Sequence, residues 1–467
     1  MGGGAVSTPA DAEMVGTSKL FSRALVKPLI YAGFACFGAL LYGYDGTYFT
    51  AILETPSFKR DYGTLQPNGA YDISGSQQSL LASIVQAGEF VGALTASFIG
   101  DYSGRKGAFV AACAFVTIGV IIQIIPAGNV GALAGGRAVL GMGVGVLSNA
   151  TPLYLAEVAP VRFRGAFVSS WQLVLAIGQV VGACVGQGSH DLTSTWAYRI
   201  PIIVNLGIVA VIVVGMFIIP ESPRWLLTKD RDEKAMAALR KINSGQDDPE
   251  LIASVEFKAF SQARDEDRAS KGGGWASLLH GVERRKFLAV VGILIGQQIG
   301  GVQFIFSYTT TFFSAVGIGS PFIITIVIDI IEVFGVLCSF LVVNRIGRRP
   351  LLLYTSIPMF ISLFVVGGIG TIDTAARTVT QNRTIAAMIA IYVYFFNVAW
   401  GPLAWAVASE LCVGDNRQKI MSIGTACFWV SKPSCVVLLC RYWTLGRLAC
   451  KTVGPRLELS FKPRVST

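Results

Sequence analysis

The chain has 467 residues, 53% hydrophobic and 14% charged, with a formal net charge of +10. Soluble domains carry about 25% charged residues, so this composition excludes a single water-solvated core and makes a membrane protein the expectation. No cationic stripe is interleaved with exposed aromatics, so nucleic acid is not an expected partner. The nine cysteines show no paired spacing, and there are only two histidines. Neither a disulfide framework, a metal site nor a bound cofactor is expected.

A membrane-spanning helix needs about 20 predominantly apolar residues. Residues 1–27 lack a signal-peptide core and read as a cytosolic tail. Candidate spans follow at Pro28–Phe49, Ser79–Ile99, Ala108–Ile125, Val130–Leu155, Phe167–Gly186 and Ile200–Ile219, giving a six-helix bundle over 28–220. Residues 221–286 are dense in charge of both signs and read as a cytosolic linker with amphipathic helical segments such as Asp232–Ile242. Spans at Phe287–Phe313, Pro321–Val343, Leu351–Ile372, Thr384–Ser409 and a weaker Ile420–Cys440 make a second bundle over 287–440. A basic tail, 441–467, holds no spanning run. With the N-terminus inside, 25 of the 38 Lys and Arg residues fall on the inner side, against five outside (Lys59, Arg60, Arg199, Arg377 and Arg383). Cationic loops stay cytoplasmic, so a cytosolic N-terminus is expected.

One motif occurs twice. Asp101-Tyr-Ser-Gly-Arg-Lys-Gly107 and Asn344-Arg-Ile-Gly-Arg-Arg-Pro350 lie 243 residues apart, each at the end of an apolar run. Each is followed by an acid seven residues before an arginine, Glu157 with Arg164 and Glu410 with Arg417. Such repetition between apolar runs points to two homologous bundles around a midplane site. An ion within a span costs about 2.5–3.5 kcal/mol on insertion scales and marks a functional position. Asp45 and Arg137 are such ions, and a switchable pair between them would link a proton to a conformational change; a static pair that only positions two helices is the other reading. Gly136, Gly141, Gly143 and Gly145 read as close helix packing. Gln172, Gln297, Gln298 and Gln303 offer both donors and acceptors, as sugar hydroxyls require, and Trp405 adds an aromatic face; interhelical hydrogen bonding is the alternative for each glutamine. Gln297 and Gln298 are expected on different faces, one toward substrate and one toward a neighbour. Trp400-Gly401-Pro402 reads as a helix break.

These elements together resemble the major facilitator superfamily and its sugar porter branch. They are Asp101 with Gly104-Arg105-Lys106, Gly347-Arg348-Arg349, Gly136-Arg137, Pro152-Leu-Tyr154 to Glu157, Arg164-Gly165, Pro220-Glu-Ser-Pro-Arg-Trp-Leu226, Gln297-Gln298 with Gly301, and Trp400-Gly-Pro402. The resemblance covers about 28–429. Gly43-Tyr-Asp-Gly-Thr-Tyr-Phe49, Tyr198-Arg-Ile-Pro201 and Phe304-Ile-Phe306 look most like fungal hexose transporters. The resemblance implies an all-α fold of two pseudo-symmetric bundles with twelve spans, of which about eleven are present here. It implies a monomeric plasma-membrane protein that moves a monosaccharide such as glucose with a proton, and not an enzyme. By the same resemblance Gln172, Gln297, Gln298, Gln303 and Trp405 contact sugar, Asp45 accepts the proton and Arg137 is its partner. Asp101, Arg105, Glu157, Arg164, Arg348, Arg349, Glu410 and Arg417 form charge networks that latch the two halves.

The chain departs from the pattern at several positions. Gln303 replaces a usual Asn, Ser307 a Tyr, Asn344 an acid, Val413 a Pro and Phe428 an Asn. Asp329 and Glu332 stand where amides are common and, at i and i+3, share a helix face. After Trp429 the resemblance ends, with Lys432 and Pro433 interrupting the eleventh span. Val430-Ser431 can be encoded by a common intron start, so a translated intron is the expectation for the tail; a transcript joining Trp429 to this tail without an alternative splice would contradict it. A sugar sensor of the same fold, disfavoured by the short tail, and an inactive truncated transporter are the alternative readings.

Overall fold

The computed structural model describes residues 23–65, 71–125, 128–160, 163–190, 192–246, 248–269, 278–303, 321–372, 377–412 and 416–431. Eight helices among them are long and apolar enough to cross a membrane. The first half holds α1 (Arg23–Glu54), the short α2 (Pro56–Tyr62), a two-residue hairpin of β1 (Thr64–Leu65) and β2 (Tyr71–Asp72), then α3 (Gly75–Ile124), α4 (Val130–Val158), α5 (Arg164–His190) and α6 (Trp196–Ile218). The two strands pair antiparallel, Thr64 opposite Asp72. Three small helices follow: α7 (Pro223–Thr228), α8 (Asp232–Asn243) and α9 (Pro249–Ala269). The second half holds α10 (Gly281–Ile299), α11 (Pro321–Ile346), α12 (Arg348–Gly370), α13 (Val379–Phe395), a π-helical turn (Phe396–Trp400) and α14 (Gly401–Leu411). A last helix, α15, spans 417–431. The end of the eleventh span, the tail, Ser307 and Val413 lie outside the described residues.

Two expectations change. The first span begins at Arg23 rather than Pro28 and continues to Glu54, which puts Asp45 inside the helix rather than near its end. The second and third spans both fall within α3 and stay separate, because the backbone at Gly104 is non-helical and divides α3 into two helices. Trp400-Gly401-Pro402 does not break its helix. Pro402 has no N–H to give, and the chain absorbs this in the π-helical turn just before it, so α13 runs on into α14.

Helix starts are written in the sequence. Ser74 caps α3 in a reciprocal capping box with Gln77, Asn129 caps α4, and Thr378 caps α13 with Gln381. Helix α4 is buried along most of its length because α3 folds back along it. A Cβ at Gly141 or Gly145 would run into the carbonyl oxygens of Val85 and Glu89, so small residues set that spacing. Large apolar side chains such as Phe98, Phe217, Leu341 and Phe364 point outward, as a helix wall facing lipid requires. The halves meet where α5 packs on α11 and α14. The larger buried cluster draws Trp405, Ile420 and Trp429 of the second half into the core of the first.

Candidate functional site

A cavity of about 190 Å³ lies between the halves. From α1 it takes Tyr42, Gly43, Gly46, Thr47 and Thr50; from α5, Trp171, Gln172, Leu175 and Gln179. These recur with helical periodicity, so one face of each helix meets the cavity. Four of the sequence-chosen sugar residues, Gln172, Gln297, Gln298 and Gln303, line it together with the fifth, Trp405. Gln297 and Gln298 both border the cavity, against the expectation of separate roles. Their 100° offset is small enough for a cavity that wraps the end of α10, and Gln297 also serves a neighbour by donating to the Trp400 and Gly401 carbonyls at 3.0 and 3.4 Å. Trp405 lies 4.7 Å from Trp171, ring centre to ring centre, and 5.2 Å from Phe428. Phe428 thus fills with an aromatic edge the position where the resemblance implies an amide.

The sequence reading missed Trp171, Gln179 and the placement of two acids. Asp329 and Glu332 of α11 both face this cavity, and both are buried. Gln172 Nε2 donates to Glu332 Oε1 and to Asn397 Oδ1, each at 3.2 Å. With its amide turned to donate, Gln179 places Nε2 3.0 Å from Glu332 Oε2. The signal for Gln179 was available: it stands seven residues after Gln172, two turns along the same face.

Asp45 and Arg137 come together in the first half, Arg137 Nη1 lying 3.8 Å from Asp45 Oδ1 with both side chains buried. The guanidinium has other support. Its Nε donates to the Leu81 carbonyl at 3.1 Å, Nη1 reaches the Tyr48 hydroxyl at 3.5 Å, and it sits 3.6 Å over the Phe49 ring. Arg137 therefore keeps partners when Asp45 loses its charge, which is what a proton-dependent pair needs.

The repeated motifs occupy one end of the molecule. Gly104 (φ 81°, ψ −174°) and Gly347 (φ 85°, ψ 166°) adopt the same conformation, one essentially reserved for glycine. The sequence repeat is thus a backbone repeat. Around the first copy, Arg105 holds Glu157 through two bonds, Nε to Oε2 at 3.0 Å and Nη2 to Oε1 at 2.8 Å. Arg417 of the second half also reaches Glu157 Oε1, at 3.2 Å, which joins the halves directly. Around the second copy, Arg348 Nη2 lies 2.6 Å from Glu410 Oε1, beside Gly165 of the first half. Arg349 makes no ion pair among the described residues. Asp101 accepts the Trp225 indole N–H through its backbone carbonyl, while its carboxyl lies in the field of Arg105 and Lys419. The side chains of Arg164 and Asn344 lie outside the described ones. Glu221, unnoticed in the sequence as an acceptor, takes the backbone N–H groups of Arg105, Lys106 and Ser222. Burial pushes its carboxyl up from the usual range, and those N–H groups pull it back. At the same end, Gln418 donates to the Ala96 carbonyl and to Asn149, and Ser422 to the Ala93 carbonyl.

Comparison with known proteins places this architecture. Residues 31–449 match the family model described as sugar (and other) transporter. The major facilitator-type transporter ecdD of Aspergillus rugulosus is 32% identical over 413 residues, which cover 86% of this chain and 76% of that one. The probable glucose transporter rco-3 of Neurospora crassa is 34% identical over 409 residues, 86% of this chain and 68% of that one. The high glucose sensor RGT2 of Saccharomyces cerevisiae is 31% identical over 441 residues, 92% of this chain and 56% of that one. Among solved structures, the proton:xylose symporter XylE bound to 6-bromo-6-deoxy-D-glucose superposes with a TM-score of 0.77 at 23% identity, over 92% of this chain and 90% of that one. That likeness establishes the fold.

Proposed function

We propose that this chain, which belongs to the sugar porter family of the major facilitator superfamily, carries a hexose across the plasma membrane together with a proton. The observation that supports it most is the cavity between the halves, walled by five glutamines and by aromatic rings. Amides match hydroxyls as donors and acceptors, and aromatic faces suit the apolar C–H faces of a pyranose. The Trp171–Trp405 pair and Phe428 supply such faces.

The transport cycle follows from the two groups of charges. The Glu157 network and the Gln418 and Ser422 contacts close the motif end, which the cation distribution assigns to the cytosol with the N-terminus. Sugar enters from the opposite end. Protonation of Asp45 releases one partner of Arg137, and rearrangement of the halves breaks the Arg417–Glu157 contact and opens the motif end. A monomer suffices, because the cavity is built by one chain.

The test is uptake of labelled glucose by this chain in a host lacking its own hexose transporters, with surface expression checked. Glucose should accumulate, and Gln172→Ala should raise the apparent KM about tenfold, the value of one lost hydrogen bond near 1.4 kcal/mol. The likeness to a glucose sensor favours a second reading, in which the same cavity binds sugar without net transport. Sugar binding by purified protein that gives no uptake from the cell surface would select it.

A further inference from the structure

Helix α15 belongs to the second half and lies against α3 and α4 of the first along a polar stripe. Gln418, Ser422, Thr425 and Trp429 stand at i, i+4, i+7 and i+11, on one face of the helix. Three of them donate across the interface. Gln418 Nε2 reaches the Ala96 carbonyl at 3.1 Å and Asn149 Oδ1 at 3.2 Å. Ser422 donates to the Ala93 carbonyl, and Trp429 Nε1 to Ser148 Oγ at 3.3 Å. Small residues on α3 admit this approach: a Cβ on Gly100 would collide with the Gln418 amide.

The same seam buries polar atoms that closure leaves unanswered. Asn149 and Thr425 are 0% exposed and Gln418 4%. Asn149 Nδ2, Gln418 Oε1 and Thr425 Oγ1 have no hydrogen-bond partner among the described residues. Turning the amides gives no relief. With Asn149 turned, its NH₂ would face the NH₂ of Gln418; with Gln418 turned, its oxygen would face the Ala96 carbonyl. A threonine in a helix can donate to the carbonyl one turn back, as Thr117 and Thr355 do, but Thr425 does not. A buried polar atom without a partner costs more than an ordinary hydrogen bond returns. The Gln418–Asn149 pair gains two bonds and strands two atoms, and Thr425 strands a third. The balance opposes closure, and water reaching the seam in an open state removes the cost.

We propose that Asn149, Gln418 and Thr425 are positioning residues that load the closed motif end, so that it parts once the Glu157 network lets go. This rests on the transport reading, in which that end opens in every cycle. The charged network and the seam then have opposite roles. Arg105 and Arg417 hold Glu157 and keep the halves together, while the stranded atoms of the seam set how readily they separate. Replacing both members of a buried polar pair by apolar side chains of the same shape removes the load, whereas replacing one member strands the other completely.

The test is the rate at which N-ethylmaleimide alkylates Cys412 in the full-length protein, with Cys412 kept as the single cysteine. Cys412 is buried and lies two residues beyond Glu410 at the motif end, so its reaction reports the open fraction. Thr425→Val keeps the shape and removes one stranded hydroxyl, and should slow alkylation at least about threefold. Gln418→Met alone leaves Asn149 with neither amide atom bonded and should speed it. Gln418→Met with Asn149→Leu should reverse that and make the reaction slower than in the parent protein. Such a change of sign is not produced by two residues that merely hold the seam together, for which the double variant would be the fastest. A double variant as fast as the parent or faster, or a Thr425→Val rate that is unchanged, overturns the proposal. If the double variant does not fold, Thr425→Val still decides. Glucose uptake is measured alongside. Uptake intact with this order of rates lost removes the load and leaves transport standing; the predicted order in a protein that moves no sugar keeps the load and removes the transport reading.

Discussion

The two halves carry the same motif in different surroundings. In the first half, Glu157 is fully buried and gripped by Arg105 through two bonds, with Arg417 as a third contact. In the second, the corresponding Arg348 and Glu410 are 48% and 29% exposed and share one contact. The glycines repeat the contrast. A Cβ on Gly104 would fall 2.5 Å from Glu221 Oε2, whereas the space beside Gly347 is open. Duplication explains why the motifs match. Burial sets how much each copy can contribute, and in the proposed cycle the first copy would hold the motif end closed while the second adds little.

The largest expected effect comes from Glu157→Gln. Removing one partner of a buried ion pair costs about 3–5 kcal/mol, and here two guanidiniums lose their acceptor. The variant should lose transport and open the motif end, which alkylation of the buried Cys412, kept as the single cysteine, would register as a faster reaction. An unchanged rate would remove Glu157 from its central place. The two glycines come next. Gly104→Ala and Gly347→Ala each force a side chain into a conformation costing about 1–3 kcal/mol, and Gly104→Ala adds the collision with Glu221. Thermal unfolding in detergent should rank Gly104→Ala below Gly347→Ala; the reverse order would mean that the second motif is the more constrained. The smallest effect belongs to Glu410→Gln. Exposed pairs contribute about 0–1 kcal/mol, so uptake should change by less than about fivefold. A loss as deep as that of Glu157→Gln would erase the asymmetry.

Much of this was legible in the sequence. Long apolar runs gave the spans, the repeat gave the two halves, and the family resemblance implied charge networks that include Arg105 with Glu157 and Arg348 or Arg349 with Glu410. These signals are local or periodic, and elementary helix geometry converts them into positions. What the sequence hid depends on contacts between segments far apart in the chain. Arg417 reaches Glu157 from 260 residues away, and Glu221 folds back under Arg105. Asp329 and Glu332 were visible as odd acids on one face, but only packing of α11 on α5 shows that they meet Gln172 and the cavity. The continuity of α13 into α14 was misjudged because a π-helical turn absorbs Pro402 and leaves no composition signal of its own.

The central claim is that a sugar in the cavity and a proton at Asp45 move together. The most direct test is accumulation of labelled glucose by the surface-expressed chain with and without a protonophore, in parallel with Asp45→Asn. The account predicts accumulation that the protonophore abolishes, and an Asp45→Asn variant that equilibrates sugar without concentrating it. Uptake indifferent to the protonophore, or accumulation that survives in Asp45→Asn, would contradict it.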